Sequence, residues 1–327
     1  MSQTPATPSI ISGSSARKLV RVVLPPRWLT PDQFETIVSR HRFVEHLGGG
    51  GDVVFVFPEG AALPAGLGLW VLSFLNQLAS AGVGRIRLEF AAPEELFGYL
   101  DRSGFIQLLS SRIETIPPRP EVSGADRYRG HAPGLVEIAP LVPGTTGSPR
   151  QAIVGRLVDA LIGFYPAGDR TARLRNNVFT VLGELVDNVF SHSGTALPGY
   201  ASLQAYDKKR RPRVQIGVSD SGLGIPASLR GTLGAKVRGW TDAELVIEAF
   251  AEGLSRHGAN SGRGCGLLQC ARLAADYGST VYVRTPLAQV ILHPAMGDRL
   301  FHRAEVQESV GELQGTHLCL EFQVDGA

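Results

Sequence analysis

The chain has 327 residues, 43% of them hydrophobic and 19% charged, with a formal net charge of only +2. That length fits two ordinary domains, each with its own apolar core, better than one. The near-neutral balance gives no electrostatic case for a nucleic-acid partner, which usually shows as a dense basic face. The three cysteines, Cys265, Cys270 and Cys319, are odd in number and lack C-x-x-C spacing, and no histidine completes a metal pattern. A reducing compartment without zinc is expected.

Residues 1–17 are rich in Ser, Thr and Pro and have no apolar core, so they read as a flexible leader and not as a signal peptide. Residues 18–112 are compact and apolar. Their most apolar stretch, Leu63 to Leu75, is closed by Asn76-Gln77 and falls short of the roughly 20 residues a membrane span needs. A soluble, cytoplasmic protein with no membrane partner is expected. Asp52 to Phe57 is a near-continuous apolar run and predicts a buried strand. Leu67 to Ser80 has helical spacing, with Leu67, Val71, Phe74, Leu75 and Leu78 on the buried face. Gly82 ends that helix, Arg85 to Phe90 alternates as a strand should, and a further helix begins near Pro93. Strand, helix, strand, helix implies a parallel sheet.

This order resembles the STAS domain of anti-sigma-factor antagonists, in which a strand leads through a turn to an amphipathic helix and a second strand. Leu63-Pro64-Ala65-Gly66-Leu67 occupies the turn, and Leu100-Asp101-Arg102-Ser103-Gly104-Phe105 matches the closing segment. Phosphorylated antagonists carry Asp-Ser where this chain has Pro64-Ala65, and neither side chain can accept a phosphoryl group. The resemblance therefore implies a docking or sensing module that is not itself a phospho-switch.

Residues 113–134 shift to Pro, Gly, Arg and Ser with no hydrophobic period and read as a linker. The second region covers residues 135–327. Arg173 to Ser191 predicts a long helix with Leu174, Val178, Val181, Leu182, Leu185 and Val189 on its apolar face. Glu184 and Asn188 lie four residues apart, on one side of that helix. A carboxylate one turn from a carboxamide can position a water and complete a magnesium shell, since magnesium prefers oxygen ligands. Alone, E-x-x-x-N is equally the polar face of any amphipathic helix.

Two strands, Ala201 to Asp207 and Arg213 to Ser219, flank the basic run Lys208-Lys209-Arg210-Arg211, which reads as a solvated turn. Next comes Asp220-Ser221-Gly222-Leu223-Gly224-Ile225. An acid at a strand end before two glycines lets backbone approach a flat ligand while the carboxylate accepts a hydrogen bond, or else is a tight turn with a helix cap. Gly262-Arg263-Gly264-Cys265-Gly266 then opens a helix over Leu267 to Tyr277, leaving amides free for phosphate oxygens. A strand over Thr280 to Arg284 follows, and Gln314-Gly315-Thr316-His317 leads into a last strand, Leu318 to Val324.

Taken in order, these clusters resemble the N, G1, G2 and G3 boxes of the GHKL ATPases, the superfamily of gyrase, heat-shock chaperones, histidine kinases, the MutL repair protein and anti-sigma-factor kinases. The resemblance implies an α/β architecture overall, with the STAS-like α/β domain followed by a Bergerat-type α/β sandwich whose mixed sheet is covered by helices. It implies ATP and Mg2+ as cofactors. Asp220 would bond the adenine amino group, with Thr316 helping through water, and Gly222 and Gly224 would let the base approach. Asn188 would ligate magnesium, and Glu184 would orient or deprotonate the attacking water or hydroxyl. Gly262, Gly264 and Gly266 would wrap the phosphates with Arg263 adding charge, and Pro226 to Ser261 would be a mobile lid. His192 reads as a structural histidine at the helix end.

Neither a P-loop nor a Rossmann fingerprint is present. None of the eight histidines has the context of a phospho-acceptor, which sets histidine autokinases aside. Only eleven residues follow Thr316, too few for the transducer domain of gyrase or MutL. What remains resembles the anti-sigma-factor kinases. It implies a regulatory ATPase or serine kinase acting on a protein partner, a STAS-type antagonist or sigma-like regulator, and admits a homodimer. An ATP-hydrolysing switch without kinase activity is the alternative.

Overall fold

The structure is a computed structural model, and it describes residues 18–47, 50–132, 134–142, 148–192, 194–206, 212–254, 266–295, 299–308, 310–311 and 313–324. The first domain runs β1 (Leu19–Val23), α1 (Pro31–His41), α2 (Phe43–Leu47), β2 (Asp52–Phe57), α3 (Ala65–Ser80) and β3 (Ile86–Phe90). A single π-helical turn (Pro93–Phe97), α4 (Gly98–Ser103), α5 (Phe105–Leu108), β4 (Ile113–Ile116) and α6 (Gly124–Tyr128) complete it. The four strands pair in parallel in the order β1-β2-β3-β4. Helix α1 starts where Thr30 and Gln33 form a reciprocal capping box ahead of Pro31, and it stops at Arg42 in the left-handed region.

The stretch 113–134, read above as a linker, begins with an edge strand of this sheet. The reason is local: Arg119 sends its guanidinium back to the carbonyls of Leu109, Ser110 and Ile113 at 2.5–2.8 Å, pinning the proline-rich segment. Gly124 N–H then donates to the Asp101 carboxylate at 3.0 Å, which docks α6 on α4.

The second domain runs β5 (Leu135–Leu141), α7 (Ser148–Ile162), α8 (Asp169–His192), β6 (Gly199–Tyr206) and β7 (Arg213–Ser219). It continues with α9 (Gly224–Leu233), a 3-10 turn (Gly234–Val237), α10 (Asp242–Ala251), α11 (Gly266–Asp276), β8 (Thr280–Arg284), β9 (Ala288–Pro294), β10 (Phe301–Glu308) and β11 (His317–Gln323). Its sheet has the order β10-β9-β8-β11-β7-β6-β5. The mixed sheet expected of it is instead wholly antiparallel. Strands β7 and β8 run parallel, but β11 inserts between them antiparallel to both, so each of the six pairings is antiparallel.

Side chains alternate across the central strands with period two, and both sets are buried. Ala201, Leu203 and Ala205 of β6, Val214, Ile216 and Val218 of β7, and Leu318, Leu320 and Phe322 of β11 face α7, α8 and α11 in one apolar core. The opposite set, including Tyr200, Gln215, Gly217, Ser219, His317 and Cys319, faces α3 of the first domain.

Thirteen of the sixteen residues of α3 are buried, because the helix is enclosed between the two sheets. The face predicted from sequence serves the first sheet. A second face at helical spacing, Gly66, Leu69, Ser73, Asn76 and Gln77, serves the other. A Cβ on Gly66 would sit 2.6 Å from Cys319 Sγ, and one on Gly217 would sit 2.8 Å from Leu69, so these two glycines set how closely helix and sheet approach. Among the described residues no helix is long and apolar enough to cross a membrane.

Candidate nucleotide site

Asp220 follows directly on β7, at the end of the sheet where the β11 lead-in also arrives. Its Oδ1 accepts from Gly222 N–H at 2.7 Å and its Oδ2 from Thr316 N–H at 3.3 Å. In return, Asp220 N–H donates to the Thr316 carbonyl at 2.9 Å. Burial pushes the Asp220 carboxyl up from 3.8 to about 6, against the two backbone N–H donors, which favour the ionised form. A carboxylate has about four acceptor positions, so two backbone bonds leave capacity for a donor on a ligand.

The loops around Asp220 are close enough to require glycine. Gly315, at φ +101°, lies against the Asp220 backbone so tightly that a Cβ would collide with its carbonyl oxygen. A Cβ on Gly224, at φ +79°, would sit 2.7 Å from Pro286 Cδ and 3.1 Å from the Gly315 carbonyl. Beside this corner opens a cleft of about 410 Å³, lined in part by Thr195, Ser221, Gly222, Leu223 and Arg230.

Helix α8 crosses the same region. Leu174, Val178, Leu182 and Val186 are fully buried, whereas Glu184 and Asn188 are exposed one turn apart. Gly199 admits the helix: a Cβ there would meet both Val189 and the Ser219 carbonyl, which puts the Asn188–Val189 turn over the strand end that carries Asp220. Gly266 opens α11 against the same helix, and a Cβ on it would stand 2.9 Å from Glu184 Cβ. The last glycine of the helix-opening cluster thus abuts the residue expected to do chemistry. Gly262, Arg263 and Gly264 lie outside the described residues, as does the His192 side chain.

Residues 174–324 match the family described as histidine kinase-, DNA gyrase B-, and HSP90-like ATPase. This part of the chain is similar to histidine kinase-like ATPase domains. The match starts in α8 and ends just past β11, so it spans all the clusters above. No match is found among curated proteins or solved structures.

Within this ATPase-like domain, the stretch read as a lid is folded through residue 254. Helices α9 and α10 pack around Leu229, Val237, Leu245 and Ala249. Arg230 pairs with Asp242 and donates to the Trp240 carbonyl at 2.8 Å. Residues 255–261 lie outside the described residues. Oxygen donors of the type magnesium prefers are present at Glu184 and Asn188. Among the described residues no group of three or more His, Cys, Asp or Glu could hold a metal ion, and magnesium characteristically takes one or two protein oxygens together with phosphates and waters.

Sequence reading missed the polar supports behind the ATPase site. The guanidinium of Arg284 and the carboxylate of Glu35 are both fully buried and pair at 2.9 Å, joining β8 to α1 of the first domain. His317 is buried, and burial followed by the Arg284 charge pushes its imidazole down to about 3. It is therefore neutral, with Nε2–H donating to the Gln314 carbonyl at 2.8 Å and Nδ1 accepting from Ser219 Oγ. The available signal was weak: strands whose two faces both lack charge imply cover on both sides.

Proposed function

We propose that the chain is an ATP-dependent regulatory protein, in which the nucleotide state of the ATPase domain controls a protein partner. The observation that carries this reading is the convergence of two clusters. A half-buried acid, Asp220, is fixed between Gly222 and Thr316, and an exposed carboxylate, Glu184, is seated against Gly266 on the helix that crosses above it. The first can accept from an exocyclic amine and so read adenine. The second can take the proton from an attacking water or hydroxyl at the far end of the nucleotide. Asn188, with the phosphates, would hold Mg2+, which when bound neutralises phosphate charge.

The parallel sheet of the first domain supports reading it as a STAS-like docking module, and the pairing with an ATPase domain supports an anti-sigma-type serine kinase. One feature favours transfer to a second chain, or to water, over transfer within this one. The Pro64-Ala65 turn is packed on the back of the ATPase sheet, where Ala65 N–H donates to Tyr206 Oη at 2.6 Å, so it does not face Glu184. The hydrolytic switch without kinase activity thus stays as the second reading.

Incubation with γ-labelled ATP, with and without candidate partner proteins, tests both. Label on a partner serine supports the kinase reading. Free phosphate alone, lost in Glu184→Ala, supports the switch. Neither product would refute phosphoryl-transfer chemistry at this site.

A further inference from the structure

The loop that delivers Thr316 to Asp220 is braced from behind by the first domain. Gln77, near the end of α3, reaches across with both ends of its carboxamide. Its Oε1 accepts from Gln314 N–H at 2.9 Å, and its Nε2 donates to the Gln314 carbonyl at 3.0 Å and to Ser221 Oγ at 2.9 Å. One side chain therefore ties together the residue just after Asp220 and the residue two before Thr316.

Two further supports act on the same loop. Ser73 Oγ lies 3.0 Å from Ser219 Oγ. Because His317 must donate to the Gln314 carbonyl, the direction of the chain is set: Ser73 donates to Ser219, Ser219 to His317, and His317 to Gln314. Glu35 accepts from Gly311 N–H at 3.0 Å, while its partner Arg284 donates to the carbonyls of Gly311 and Leu313. The loop is thus held at Gly311, Leu313 and Gln314 by groups that belong to the first domain or are paired with it.

We infer that Gln77 is a positioning residue for base recognition: the first domain sets the distance between Asp220 and Thr316 and so tunes adenine selectivity. The inference rests on the reading of these two residues as the base-contacting pair. Coupling of this kind is reciprocal, so ATP should in turn favour the docked position of α3. A guanine ring presents an oxygen where adenine presents an amine. The Asp220 carboxylate therefore discriminates only while its geometry is held, and the phosphate end is indifferent to the brace.

Displacement of a ribose-labelled fluorescent ATP from the full-length protein by ATP, GTP and inorganic tripolyphosphate, all with Mg2+, tests this. Gln77→Met keeps the volume and removes every hydrogen bond. It should weaken ATP by about 10-fold while leaving GTP and tripolyphosphate unchanged, as expected for the loss of one to two net hydrogen bonds' worth of positioning. An ATP/GTP ratio equal to wild type, or equal losses for all three competitors, would overturn the inference. Gln77→Glu retains the bond from Gln314 N–H and loses both donated ones. If the Met variant does not fold, the Glu variant should show a smaller fall in the same ratio, and an unchanged ratio would again overturn the inference. Asp220→Asn is the control for the underlying reading, and it should fail to bind the labelled ATP. If it binds the label as wild type does, the assignment of Asp220 to the base is wrong; if binding is lost while Gln77→Met keeps the wild-type ATP/GTP ratio, only the role of Gln77 fails.

Discussion

Replacing Asp220 by Asn should abolish ATP binding and, at neutral pH, make the nucleotide-free protein more stable. Burial raises the Asp220 carboxyl from 3.8 to about 6, which corresponds to about 3 kcal/mol withheld from the ionised native form. Asparagine has no charge to desolvate and keeps one acceptor for Gly222 N–H. It loses the longer bond from Thr316 N–H, 3.3 Å in the wild type, at a cost of about 1 kcal/mol. The balance is a gain of about 2 kcal/mol, or a Tm higher by about 4 °C for a chain of this size.

The sign with pH follows from proton binding. Between 3.8 and about 6 the native state binds more protons at this group than the unfolded state, so its contribution falls as pH rises through that window. The advantage of Asp220→Asn should therefore be full above pH 7, shrink as pH falls through 6, and vanish or reverse by pH 4. Urea denaturation of both proteins at pH 4.5, 6 and 8 reads the difference while cancelling the other carboxylates. A variant that is less stable by the same amount at every pH would refute the account of Asp220 as a charge held out of water.

Glu184→Ala should leave ATP affinity within about twofold, because the side chain is exposed, and cut phosphate release or transfer by about 10²–10⁴-fold. Unchanged turnover would remove Glu184 from the chemistry. Gly315→Ala places a methyl against the Asp220 carbonyl at a positive φ. It should cost about 2 kcal/mol or more and ATP binding with it, read by thermal melting and titration together. Arg284→Met strands the buried Glu35 carboxylate and should destabilise by about 3–5 kcal/mol, whereas the double variant with Glu35→Met should recover much of that loss. Additive losses would mean that the pair is not coupled.

The layout of the candidate nucleotide site was more legible in the sequence than its support. Glu184, Asn188, Asp220 and Thr316 stand at predictable places because helix period, strand ends and glycines mark them, and the long helix and the strands around Asp220 fall within a few residues of their predicted limits. The family match over 174–324 agrees with the GHKL resemblance of this region. Sequence patterns could not show that α3 serves two sheets, because Leu67, Val71 and Phe74 already satisfy an ordinary amphipathic helix. Its second face is written in small and polar residues, Gly66, Ser73, Asn76 and Gln77, that read as solvent-facing. Nor could they show β4, since the proline-rich segment after it has no hydrophobic period and is pinned by hydrogen bonds from the Arg119 side chain. Strand β10 was missed for a plainer reason: it is mostly exposed and polar, with no alternation strong enough to read.

Calorimetric titration of the full-length chain with ATP and ADP, with and without Mg2+, tests the central claim most directly. The account predicts saturable binding of one nucleotide per chain, tighter for ATP when Mg2+ is present, and absent in Asp220→Asn. A folded wild-type protein that shows no heat with either nucleotide, or an Asp220→Asn variant that binds ATP as wild type does, would contradict it.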